Sequence, residues 1–149
     1  MKVSLEDWLN EGRLRQHKTS KNEIKQLLAV FARDMTDAQS NTISIDRRFA
    51  TAYNAALTVS TAALAANGYR AAGEGHHYWV IQSLAFTLKL DSESIEVFNR
   101  FRRKRNTIDY ERIGTVSERE VLETLELARS IRGKLETWLA ESYPQLLEK

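Results

Sequence analysis

The chemistry available to this chain is concentrated between Phe98 and Glu111, a segment reading Phe-Asn-Arg-Phe-Arg-Arg-Lys-Arg-Asn-Thr-Ile-Asp-Tyr-Glu. Five basic residues crowd into Arg100 to Arg105, an excess that the formal net charge of +2 conceals. On a helix turning about 100° per residue, Phe98, Phe101, Arg105 and Ile108 share one face. A guanidinium in an apolar stripe needs a carboxylate or carbonyl partner, or a crevice that admits an anion. Arg102, Asn106 and Tyr110 recur at four-residue intervals on the adjacent face. Guanidinium, amide and phenol side by side can grip a phosphate and hydrogen-bond or stack on a base. Arg102, Arg103, Arg105 and Asn106 are therefore the candidate RNA- or phosphate-binding residues. The competing reading is a solvated face whose aliphatic stems cover the core edge, with Asp109 and Glu111 neutralising part of the charge.

A second concentration is Gly73-Glu74-Gly75-His76-His77-Tyr78-Trp79, which with His17 holds all the imidazoles. One of these histidines could reach across a bundle or a dimer to exchange a proton. Alternatively, both sit at a helix N-terminus, bonding free N–H groups or packing on Tyr78 and Trp79. Arg70, His76 and His77 form a candidate pocket rim. Adjacent histidines point in different directions and no second ligand cluster appears, so no metal site is expected. Cysteine is absent, which excludes disulfides, thiolate zinc sites and thiol nucleophiles. Glycine-rich phosphate loops, Ser-His-Asp order and paired carboxylates are not found either, and no cofactor is expected.

These residues need helices to position them, and helix signals dominate. The chain has one proline, Pro144, and six glycines among 149 residues. Ser4 with Asp7, Ser20 with Glu23, and Ser117 with Glu120 follow the Ser-x-x-acid capping pattern. Ser44 or Asp46, and Asp91 or Ser92, can open two more helices. Apolar stripes at helical spacing run through Ile24 to Met35, Phe49 to Leu64, Val80 to Leu90, Ile95 to Ile108 and Val121 to Leu139. The alanine-rich stretch from Ala50 to Ala66 suits the middle of a bundle, because small residues permit close helix approach. Arg47 and Arg48 open that helix against the macrodipole, so a salt bridge is expected there. The prediction is one all-α domain over 1–149, an antiparallel bundle of four main helices plus one or two short ones. A short first helix spans 4–14, the bundle core spans 20–143, and no sheet is expected. The stretch Ala55 to Ala66 is interrupted by Thr58, Ser60 and Thr61 and is too short for a bilayer. Acidic residues in MKVSLEDWLNEG argue against an export signal, so a cytoplasmic location is expected.

The order of long helix, loop, helix, then Arg105-Asn106 and Tyr110 near the end of a basic helix, then a long last helix, resembles the HEPN superfamily. The resemblance covers about residues 20–140 in helix order, and Arg105, Asn106 and Tyr110 in specific residues. It implies a homodimer whose paired motifs form an RNA-cutting cleft, with Arg105 and Tyr110 at the catalytic positions. A toxin or defence-type endoribonuclease, or a catalytically degenerate RNA- or nucleotide-binding relative, would fit. An antitoxin or nucleotidyltransferase-like partner is implied too, with Tyr110 as counterpart of the tyrosine adenylylated in such toxins. Tyr110 stands where ribonuclease members carry His, and a phenol of pKa ~10 exchanges protons poorly near neutrality. The alternative function is a non-catalytic interaction module docking an acidic partner through the basic helix.

Overall fold

Serine and aspartate side chains set the helix starts. Residues 3–73, 75–108 and 115–147 are described in the computed structural model. Six helices appear: α1 (Leu5–Asn10), α2 (Lys21–Asp37), α3 (Ile45–Ala66), α4 (His76–Thr87), α5 (Ser92–Ile108) and α6 (Glu118–Ser142). A short 3-10 turn, Pro144–Leu146, follows the last. Both halves of the capping box form at Ser4 with Asp7 and at Ser117 with Glu120. At Ser20 only the serine half forms, because Glu23 turns instead to His17 and Thr19, each 2.7 Å away. Burial pushes the Glu23 carboxyl up, but the Thr19 and His17 hydrogen bonds and the His17 charge together hold it below its ordinary value. Ser44 caps α3, and the Asp91 carboxylate accepts from the Ser94 N–H at 3.0 Å and the Ser94 hydroxyl at 2.8 Å.

α3 is the axis of the bundle, as its composition predicts. Ala52, Ala55, Ala56, Ala62 and Ala63 are all fully buried, and α2 and α6 pack most extensively against it. Ser60 within this helix returns its hydroxyl to the Ala56 carbonyl at 2.7 Å, so a buried donor is satisfied. Arg48, 8 % exposed, sets the directions of three elements. Its Nε donates to the Ala38 carbonyl at the end of α2 at 2.7 Å, and its Nη1 to Glu118 at the start of α6 at 2.6 Å. α3 therefore runs antiparallel to α2 and in the same direction as α6. The salt bridge expected at the Arg47–Arg48 pair is made by Arg48.

One expectation fails. The first helix ends at Asn10, not at residue 14, and Leu14–Gln16 forms a strand, β1. It pairs antiparallel with β2 (Tyr69–Ala71), in the register Leu14 to Ala71, Arg15 to Arg70 and Gln16 to Tyr69. Gly12 at φ 80° and Gly68 at φ 94° turn the chain into the first and second strands of this ribbon. Strands of three residues are too short to display an alternating pattern. The ribbon closes a second apolar cluster of Trp8, Leu14, Leu64 and Val80, with Trp79 and Phe86 packed on it. Among the described residues no helix is long and apolar enough to cross a membrane.

Candidate phosphate-binding site

The two faces of α5 separate as the helical wheel requires. Phe98 and Phe101 are buried at 0 and 2 % exposure. They meet Tyr53 and Phe49 of α3 edge-to-face, with both centroid separations 5.8 Å. These contacts run α5 antiparallel to α3 and hold its basic flank against the start of α4. Arg105, within the Phe98–Phe101 stripe, and Arg102 on the adjacent face are half-buried, while Arg103 and Asn106 are exposed. Arg102 Nε donates to Asn99 Oδ1 at 2.7 Å, and its Cζ lies 5.5 Å from the centre of the Tyr78 ring. Arg103 belongs to a different place, lining a shallow cleft of about 350 Å³ with Arg100, Lys104, Thr107 and Thr115. Lys104 fastens α5 to α6 through Glu120 at 2.8 Å. Tyr110, Asp109 and Glu111 lie outside the described residues, as does Glu74.

The charges of Arg102 and Arg105 act on one residue from α3 and one from α4. Gly75, at φ 71°, begins α4 in a left-handed conformation with no side-chain cap. Directly after it, His76 is exposed and His77 half-buried. The His77 ring lies 4.6 Å from His76 and 6.3 Å from Tyr53. Burial, with the charges of His76, Arg102 and Arg105, holds His77 below its ordinary value of 6.5. It is consequently a neutral imidazole at neutral pH. Burial pushes the Tyr53 phenol up to about 12, although Arg102 and Arg105 act against it. Tyr53 is 1 % exposed, and its hydroxyl has no hydrogen-bond partner among the described residues.

Four groups from three helices thus share one electrostatic neighbourhood: Tyr53, His77, Arg102 and Arg105. Two guanidiniums can hold a phosphate, the imidazole can accept a proton, and the phenol is a donor awaiting an acceptor. His77 was legible as a candidate rim residue, and the structure joins it to the arginines. His76 is its exposed neighbour. Arg70 is placed elsewhere, on β2 opposite Arg15. Tyr53 was missed, because its position in the Phe49–Ala52–Tyr53–Ala56 stripe marks it as core. A phenol on a core stripe does raise the question of where its hydroxyl bonds, and that was the available signal. Among the described residues no group of three or more His, Asp or Glu gathers as a metal-binding set. No family model matches the chain, and no curated protein does.

Proposed function

We propose that this chain is an RNA-associated, HEPN-like protein of the cytoplasm that acts as a homodimer and holds an RNA phosphate between Arg102 and Arg105. Asn106 follows Arg105 directly and lies one turn beyond Arg102 on the same helix, suitably placed for a sugar or base. The observation that carries the reading is His77: its imidazole feels the charges of both arginines and precedes Tyr78, over whose ring Arg102 lies, although the motif itself ends in Tyr110. A neutral imidazole next to a bound phosphodiester can take the proton of the adjacent ribose 2′-hydroxyl. The 2′-oxygen then bonds to phosphorus, the bond to the 5′-oxygen breaks, that oxygen takes a proton from water, and the hydroxide left behind takes the proton from His77. The products are a cyclic phosphate and a free 5′-hydroxyl. A toxin or defence role, with an antitoxin or nucleotidyltransferase-like partner, follows from the resemblance of Arg105 and Asn106 to the family motif.

The test is RNA binding by fluorescence anisotropy over a range of salt concentrations. Arg105→Ala should remain folded and lose at least about tenfold in affinity, the size of a lost hydrogen bond to a charged group. Wild-type affinity should fall steeply with salt, because phosphate contacts release counterions. Unchanged affinity in Arg105→Ala, or a stoichiometric acidic protein partner with no RNA binding, would overturn the proposal.

A further inference from the structure

The short ribbon carries an arrangement that its own stability does not favour. Arg15 and Arg70 are direct cross-strand partners, and both are exposed. Side chains paired this way leave the ribbon on the same side with Cβ atoms about 5 Å apart, where like charges repel. Neither arginine has an ion pair among the described residues. An anion lying across the pair would remove the repulsion.

From this ribbon a row of alternating cations and aromatic rings leads toward α5. Arg13, next to β1, places its Cζ 4.0 Å above the Trp79 ring. Glu11 lies 3.4 Å from the same guanidinium. Trp79 meets Tyr78 edge-to-face at 5.0 Å, and Tyr78 lies 5.5 Å from Arg102. Trp79 and Tyr78 are both half-buried. The second apolar cluster, with Trp8 5.0 Å from Trp79, holds the row in place from beneath.

We propose that Arg70, Arg15, Arg13, Trp79 and Tyr78 form a track for single-stranded RNA that ends at Arg102. The proposal rests on the reading of α5 as a phosphate-binding site and extends it to a substrate class. Arg13 and Arg102 leave the Trp79 and Tyr78 rings to follow the phosphates, and the uncovered rings stack on unpaired bases, which a duplex keeps stacked inside. Contacts of 5.5, 5.0 and 4.0 Å in succession separate Arg102 from Arg13, so a strand must run past Tyr78 and Trp79 to reach the ribbon.

The experiment compares labelled oligouridines of about two and about twelve nucleotides, and a duplex of the longer one, by anisotropy. The variants are Arg15→Ser with Arg70→Ser, which changes two exposed side chains, and Tyr78→Ser. The double variant should bind the longer strand about tenfold more weakly, with a salt slope smaller by about 1.4 for two lost phosphate contacts. Its affinity for the short strand should match wild type. Tyr78→Ser should weaken the longer strand as well. Wild-type affinity of the double variant for the longer strand, or equal binding of duplex and single strand, would overturn the track. In that case a loss of both oligonucleotides in Arg105→Ala leaves the α5 reading standing. If the wild-type protein binds neither strand, both proposals fall together.

Discussion

Replacing Tyr53 by Phe isolates one atom whose cost can be worked out. The phenolic oxygen is buried without a hydrogen-bond partner among the described residues, while the ring packs on Phe98 at 5.8 Å. A donor that has lost water and found no partner costs about 1–3 kcal/mol. Tyr53→Phe keeps the ring and removes that cost, so the variant should be more stable at neutral pH by about 1–2 kcal/mol. For a chain of this size, that raises Tm by about 2–8 °C. A second measure comes from alkali. The phenol of the folded protein ionises at about 12, against 10 for an ordinary tyrosine. The folded state therefore holds its proton more tightly than the unfolded chain does. The resulting stabilisation is complete below pH 10 and is lost as the pH rises through 12. At roughly 1.4 kcal/mol per unit, a loss of about 3 kcal/mol over that window should be present in wild type and absent in the variant. Urea unfolding at neutral and alkaline pH, followed by circular dichroism, measures both quantities. A variant destabilised by more than about 1 kcal/mol at neutral pH would refute the reasoning, because it would mean the hydroxyl is well bonded. A stabilised variant that binds RNA less well would place the missing partner in the complex.

Three other outcomes follow from the geometry. His77 titrates below 6.5 in the folded protein, so on acidification the unfolded chain binds its proton first and stability falls as the pH drops through 6.5. His77→Gln should flatten that part of the acid limb, and a Tm series from about pH 7.5 to about pH 5 with parallel slopes in both proteins would contradict it. Arg48→Met should cost about 2–4 kcal/mol by stranding the Ala38 carbonyl and breaking the tie between α3 and α6. Glu118→Gln, whose side chain is 52 % exposed, should cost under about 1 kcal/mol, and equal losses in urea unfolding would deny the asymmetry. Ser117→Ala should cost about 1 kcal/mol by opening the box that starts α6. Burial raises the Glu120 carboxyl, but Lys104 and Ser117 outweigh this and hold it below 4.5, so its stabilisation disappears as the pH falls through that lowered value. An acid limb unchanged in Glu120→Gln would show otherwise.

The residues themselves determine most of the fold. A serine three positions before an acid satisfies N–H groups within its own turn, and apolar residues at helical spacing need only a neighbour to cover them. Such information is local, so the starts of α1, α2 and α6, the alanine-built axis α3 and the two faces of α5 were all legible. The β1–β2 ribbon was not, because its hydrogen bonds join Leu14–Gln16 to Tyr69–Ala71 and neither stretch has a period of its own. The candidate site was half legible for the same reason. Arg102, Arg105 and Asn106 share a helix, and their spacing alone suggests an anion. Which imidazole stands beside them, and that Tyr53 lies buried with an unused hydroxyl, depends on how α3 and α4 pack against α5. Helical periodicity ranks residues around one axis and says nothing about the rotation of one axis against another. Tertiary packing decided that rotation by seating Phe98 and Phe101 on Tyr53 and Phe49, and the same seating brought the charges of Arg102 and Arg105 within reach of His77.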